Sequence, residues 1–104
     1  MQPKVARQSP IDLIATIDVS PEVLPVAAAL LLEYGKVVRA EPGNVRFEAY
    51  RDRDSGSMVI IERYASPEAF EAHLSDPRNA EFNAQLASIL GGGGSTLQML
   101  DPLG

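Results

Sequence analysis

Apolar and polar positions begin to alternate at Ile11. Ile11, Leu13, Ala15, Ile17 and Val19 point one way and Asp12, Ile14, Thr16 and Asp18 the other, which is the period of a strand. Ser20-Pro21-Glu22 is a helix-start signal. After it, Val23, Leu24, Ala27, Leu30, Leu31, Tyr34, Val37 and Val38 recur at helical spacing and predict one long amphipathic helix to about Arg39. Pro25 lies a turn inside this pattern and removes an amide donor, so regular helix starts either at the first signal or at Pro25. Glu41-Pro42-Gly43-Asn44 stops it, because Pro42 disfavours αR at Glu41 and Gly43 readily takes positive φ.

Val45, Phe47, Ala49 and Arg51 then alternate with Arg46, Glu48, Tyr50 and Asp52 in a second strand. Arg53-Asp54-Ser55-Gly56 is a hairpin loop into a third strand, Ser57 to Tyr64. The third strand opens with four successive apolar residues, Met58 to Ile61, which suits burial on both faces. Ser66 can accept from first-turn amides, Pro67 has its φ preset and Glu68 complements the positive helix end, so a helix is expected over residues 66–76. It turns Phe70, His73 and Leu74 toward the sheet. Pro77 restarts a helix with Phe82, Leu86, Ile89 and Leu90 on its apolar face. Gly91 caps it, residues 91–94 connect, and residues 96–101 alternate as a last strand. Residues 1–10 read as a loose lead-in.

Strand, helix, strand, strand, helix pair, strand, with Ser-Pro-Glu recurring at 20 and 66, is a split βαβ pseudo-repeat. Right-handed crossovers put the helices on one face of a four-stranded sheet, with the first and third strands central and parallel. The other face is bare, yet it must cover one side of Met58 to Ile61. The simplest cover is the same face of a second subunit, so a homodimer is expected. On this reading Ile60 lies on the bare face, and a lysine there would dissociate or unfold the protein.

Composition narrows the picture. A 104-residue chain that is 45% hydrophobic is expected to form one domain over residues 1–104, with its core between about residues 11 and 101. A net charge of −5 argues against a nucleic-acid partner. No apolar run approaches the roughly 20 residues that span a bilayer, and the N-terminus lacks the apolar core of a signal peptide, so no membrane partner and a cytoplasmic location are expected. There is no cysteine and only one histidine, which leaves a zinc site with little to rest on. Asp52 to Gly56 resembles a calcium loop but has Arg63 where the bidentate glutamate belongs, and it reads as a solvated hairpin. The glycines at 91–94 follow a helix and are no phosphate cradle.

The candidate chemistry centres on His73. An inward imidazole is either structural, held by a carbonyl or by Glu62, or a base in a pocket. Glu62 shares its strand face with Met58, Ile60 and Tyr64. It either pairs with Arg46 or Arg63 at the sheet edge, or it orients His73 or meets a ligand.

EPGNVRFEAYRD, MVIIERYASPEAFEAHLSDP and the helix containing Phe82 together resemble the antibiotic biosynthesis monooxygenase family, over about residues 11–101. The resemblance implies a ferredoxin-like α+β monomer with a four-stranded antiparallel sheet, assembled as a dimeric α/β barrel. It implies a pocket for a small aromatic or apolar ligand, and oxidation of a phenol or quinol by O₂ with no cofactor and no metal. His73 would then be the base and Glu62 its orienter, with Tyr64, Phe70 and Asn44 as substrate contacts. The haem-degrading branch is not indicated, because the chain has no Trp and no Asn in residues 11–19. A dimer that only binds a small metabolite is the competing reading.

Overall fold

β1 (Ile11–Ile17) turns Leu13, Ala15 and Ile17 into the core and keeps the intervening residues half-buried. A computed structural model describes residues 9–92 and 94–104. Most of the expected lead-in (residues 1–8) and Gly93 of the glycine connector lie outside the described residues. After β1 the Ser20 carbonyl accepts the amides of Val23 and Leu24, at 3.2 and 3.1 Å, and α1 runs Leu24–Arg39 with Pro25 in its first turn. The first Ser-Pro-Glu therefore forms a turn ahead of the helix, and no side chain caps α1.

β2 (Asn44–Arg51) and β3 (Met58–Tyr64) form the hairpin. Asp52 Oδ1 accepts the amides of Asp54 and Ser55, at 2.8 and 3.1 Å, and Gly56 takes φ 80°. The second Ser-Pro-Glu does cap: Ser66 Oγ accepts the Ala69 amide at 3.1 Å, and α2 spans Pro67–Ser75. Asp76 likewise accepts the Arg78 amide at 2.9 Å and starts α3 (Pro77–Leu90), which ends at Gly91 with φ 75°. β4 (Ser95–Leu100) completes the sheet.

The strand order is β2-β3-β1-β4 with every pairing antiparallel, so the central strands β1 and β3 are not parallel as expected. The crossover through α1 makes β1 and β2 run the same way. β3 doubles back from β2 and inserts between them, and so runs against both.

The helices cover one face. Leu13, Ile17, Phe47, Ile60 and Tyr64 join Leu31, Val38, Phe82 and Leu86 in a single core. Ile60 is only 2% exposed and lies under the helices, which corrects its placement on the bare face. The run of four apolar residues hides the strand's parity: Met58 and Ile60 point inward, and Val59 and Ile61 are half-buried on the bare face. β2 is irregular between Asn44 and Arg46, which drops Val45 out of the alternation and exposes it. Gly43 does not take positive φ. It is needed for close approach, since a Cβ there would stand 2.3 Å from the Cβ of Ala69 on α2. Its carbonyl accepts the Ala65 amide at 2.8 Å, and together these contacts dock the 41–44 turn against the start of α2.

Candidate functional site

Between the sheet and the helices lies a cavity of about 90 Å³, walled by Leu31, Tyr34, Phe47 and Phe82, with Glu62 and His73 among its polar groups. The walls are ordered by ring contacts. Tyr34 on α1 stacks on Phe82 of α3 (centroids 4.2 Å apart, planes 6° apart) and meets Phe47 edge-on at 6.1 Å. The Tyr34 hydroxyl is tied down as well, donating to Asn79 Oδ1 at 2.9 Å. Burial pushes this phenol well above the ordinary tyrosine value, so it serves as a hydrogen-bonding group and not as an acid.

Glu62 reaches the cavity from the middle of the sheet because residues 58, 60, 62 and 64 share the inward face of β3. Tyr64, fully buried behind it, donates its hydroxyl to Glu62 Oε1 at 2.7 Å. Burial raises the Glu62 carboxyl above the ordinary glutamate value; the Tyr64 hydrogen bond and, when the ring is protonated, the charge of His73 oppose this shift without cancelling it. Tyr64 itself is pushed upward, chiefly by burial and then by the neighbouring carboxylate. Glu62 forms neither expected ion pair: Arg63 pairs with Asp12 at 2.6 Å and Arg46 with Glu48 at 2.9 Å.

α2 delivers His73, 7% exposed, into the same cavity with the Tyr64 ring 4.9 Å away. The expectation that Glu62 orients this imidazole is corrected here. The carboxylate on Nδ1 is Glu41, whose two oxygens both lie 3.1 Å from it. An ionised carboxylate can only accept, so with Glu41 ionised this contact requires the hydrogen on Nδ1 and leaves Nε2 of a neutral ring as an acceptor. The ring itself lines a largely apolar, aromatic space, and in that tautomer its free nitrogen can take a proton.

Of the residues singled out from sequence, His73, Glu62 and Phe70 meet at the cavity. Tyr64 lies behind the wall and supports Glu62. Asn44 sits at the start of β2, opposite Tyr64 in the ladder, where its Nδ2 donates to the Arg46 carbonyl at 3.1 Å; it is not among the residues lining this cavity. Leu74, expected to face inward, does line the cavity but remains 45% exposed. Sequence reasoning missed Glu41, Tyr34 and Asn79. The one available signal was a tyrosine on an otherwise aliphatic helix stripe, since a buried hydroxyl needs a partner.

Residues 10–85 match the family model of antibiotic biosynthesis monooxygenases. The Mycobacterium tuberculosis protein named “Putative monooxygenase Rv0793” is 32% identical over 82 residues, spanning 79% of this chain and 81% of that protein. A solved structure of Rv0793 superimposes with a TM-score of 0.82 at 30% identity, covering 92% of this chain and 97% of its own. PA3566 from Pseudomonas aeruginosa is 25% identical with a TM-score of 0.80, covering 94% and 98% of the two chains. A Caulobacter crescentus protein described under the same family name, 23% identical, shares the fold at a TM-score of 0.82 with coverage of 99% and 98%. Sequence match and shared architecture agree, and the chain belongs to the antibiotic biosynthesis monooxygenase family.

Proposed function

We propose that the protein is a monooxygenase that oxidises a small aromatic hydroxyl compound, a phenol or quinol, with O₂ and without a bound cofactor. The observation that carries this reading is the buried imidazole of His73, tethered through Nδ1 and set in an aromatic-walled cavity. His73 takes the hydroxyl proton at Nε2, and the electron-rich anion gives one electron to O₂. The radical pair joins in a C–O bond, and the peroxide receives the proton back. Loss of the ring hydrogen from the same carbon then breaks the O–O bond and leaves a quinone and water. Phe70, Tyr34 and Phe82 hold the ring and exclude water. Glu62, its carboxyl raised by burial, supplies a polar contact for a second oxygen of the substrate.

His73→Ala is expected to lower turnover by about 10² to 10⁴ in an oxygen-uptake assay with a panel of hydroquinones. A melting temperature within a few degrees of the parent would separate this loss from unfolding. An unchanged rate per folded molecule would end the catalytic reading, and phenol binding without any oxygen uptake in the parent would make the protein a binding module.

The same reading includes a homodimer formed through the bare sheet face, where Ile14, Val59 and Ile61 are half-buried and Tyr50 and Leu100 exposed. Light scattering is expected to give about twice the 11.2 kDa chain mass. Ile61→Lys should bring this down to a single chain with the helical circular dichroism retained; a parent that runs as a monomer would refute the dimer.

A further inference from the structure

His73 is a partition between two spaces. On one side it lines the aromatic cavity, and on the other it borders a groove of about 420 Å³ formed by the end of α1, the 41–43 turn, α2 and the start of α3. Among the described residues, no other lines both. Glu41 stands on the groove side alone, its side chain 11% exposed, with both oxygens on the Nδ1 edge of the ring. The other charged groups of the groove are Glu68, Asp76 and Arg78, and the last two are held to each other at 2.7 Å. Glu41 is therefore the group that fixes the imidazole, from outside the substrate's space.

We infer that Glu41 is a positioning residue for the proposed reaction, keeping the ring hydrogen on Nδ1 so that the Nε2 lone pair is presented to the cavity. This rests on the reading of His73 as the base. The substrate proton goes to Nε2, and the imidazolium keeps its Nδ1–H hydrogen bond to the carboxylate. The same proton leaves Nε2 for the reduced oxygen, so Glu41 neither gains a proton nor touches substrate. Without the tether, neutral imidazole in water favours its hydrogen on Nε2, the tautomer that cannot accept.

The chain has a single histidine, so ¹⁵N-labelled histidine reports on His73 alone. In the unmodified protein at a pH where the ring is neutral, the spectrum should show hydrogen on Nδ1; hydrogen on Nε2 would overturn the inference whether or not any substrate is turned over. Glu41→Ala should move the hydrogen to Nε2 and lower oxygen uptake on the order of 10²-fold or more, by analogy with carboxylate–histidine pairs elsewhere. Because the groove is open to solvent, added formate should restore both the Nδ1–H signal and most of the lost rate. Glu41→Gln, closest in shape, covers the case in which the alanine variant fails to fold. A Glu41 variant that melts early but keeps its rate per folded molecule would reduce Glu41 to a structural role. A parent with no uptake would fail the reaction while leaving the tautomer result to decide what Glu41 does.

Discussion

Glu62 is a carboxyl kept 7% exposed, with the Tyr64 hydroxyl as its donor, and burial raises it above its unfolded value. The sign of its linkage follows. Between the ordinary glutamate value, about pH 4.3, and the raised folded value, the native state binds more protons than the unfolded chain, so stability from this group falls as pH rises through that window. Glu62→Gln keeps an oxygen for Tyr64 and removes the charge. Its stability relative to the parent is expected to increase with pH across the window and level off above it, as read from urea midpoints at several pH values. A difference that is flat with pH would mean that Glu62 titrates normally. The inward face of Glu62 was readable from sequence, because residues two apart on a strand share a side. The partner of His73 was not. Glu41 is 32 positions away, and only the docking of the 41–44 turn on α2 brings the two together.

Leu31 sits at the centre of the α1 stripe, 3% exposed in the main core. Leu31→Ala is expected to cost about 2–5 kcal/mol, measured by chemical denaturation. A cost of a few tenths would place the stripe on the wrong side of the helix. α1 and α2 also show what a motif can and cannot say. Ser66 caps α2, whereas Ser20, in the same Ser-Pro-Glu context, only closes a turn. Pro25 makes the difference: its missing amide is tolerated in a first turn, so α1 begins at Leu24 and leaves Ser20 outside. The corresponding position after Ser66 is Glu71, which imposes no such start. Gly43 is a similar case. Its presence was legible, but its reason was not, since a contact with Ala69 is invisible to local conformational rules.

For the molecule as a whole, the split βαβ order and the helix-covered face were recoverable from periodicity, because each element's pattern constrains which side it buries. The parity of Met58 to Ile61 was not recoverable, because an uninterrupted apolar run reads the same from either face. Only the ladder to β1, with Ala15 opposite Ile60 and Ile14 opposite Ile61, assigns the sides. That ladder also shows how lightly the sheet's last member is held. Leu97 and Met99 lie opposite Ala15 and Leu13 on the helix side, yet they remain 47% and 53% exposed because the helices do not cover this edge.

All six residues of β4 are exposed, so its attachment to β1 rests on main-chain hydrogen bonds with little side-chain burial behind them. Segments of this kind open at a lower free energy than the whole molecule unfolds. In D₂O the amides of β4 are therefore expected to take up deuterium well before those of β3, whose neighbours enclose it on both sides, by peptide-resolved mass spectrometry. If a second copy shields this edge, dilution should accelerate exchange in β4 while leaving β3 unchanged. Equal protection of the two strands at every concentration would show that β4 is held by more than its ladder.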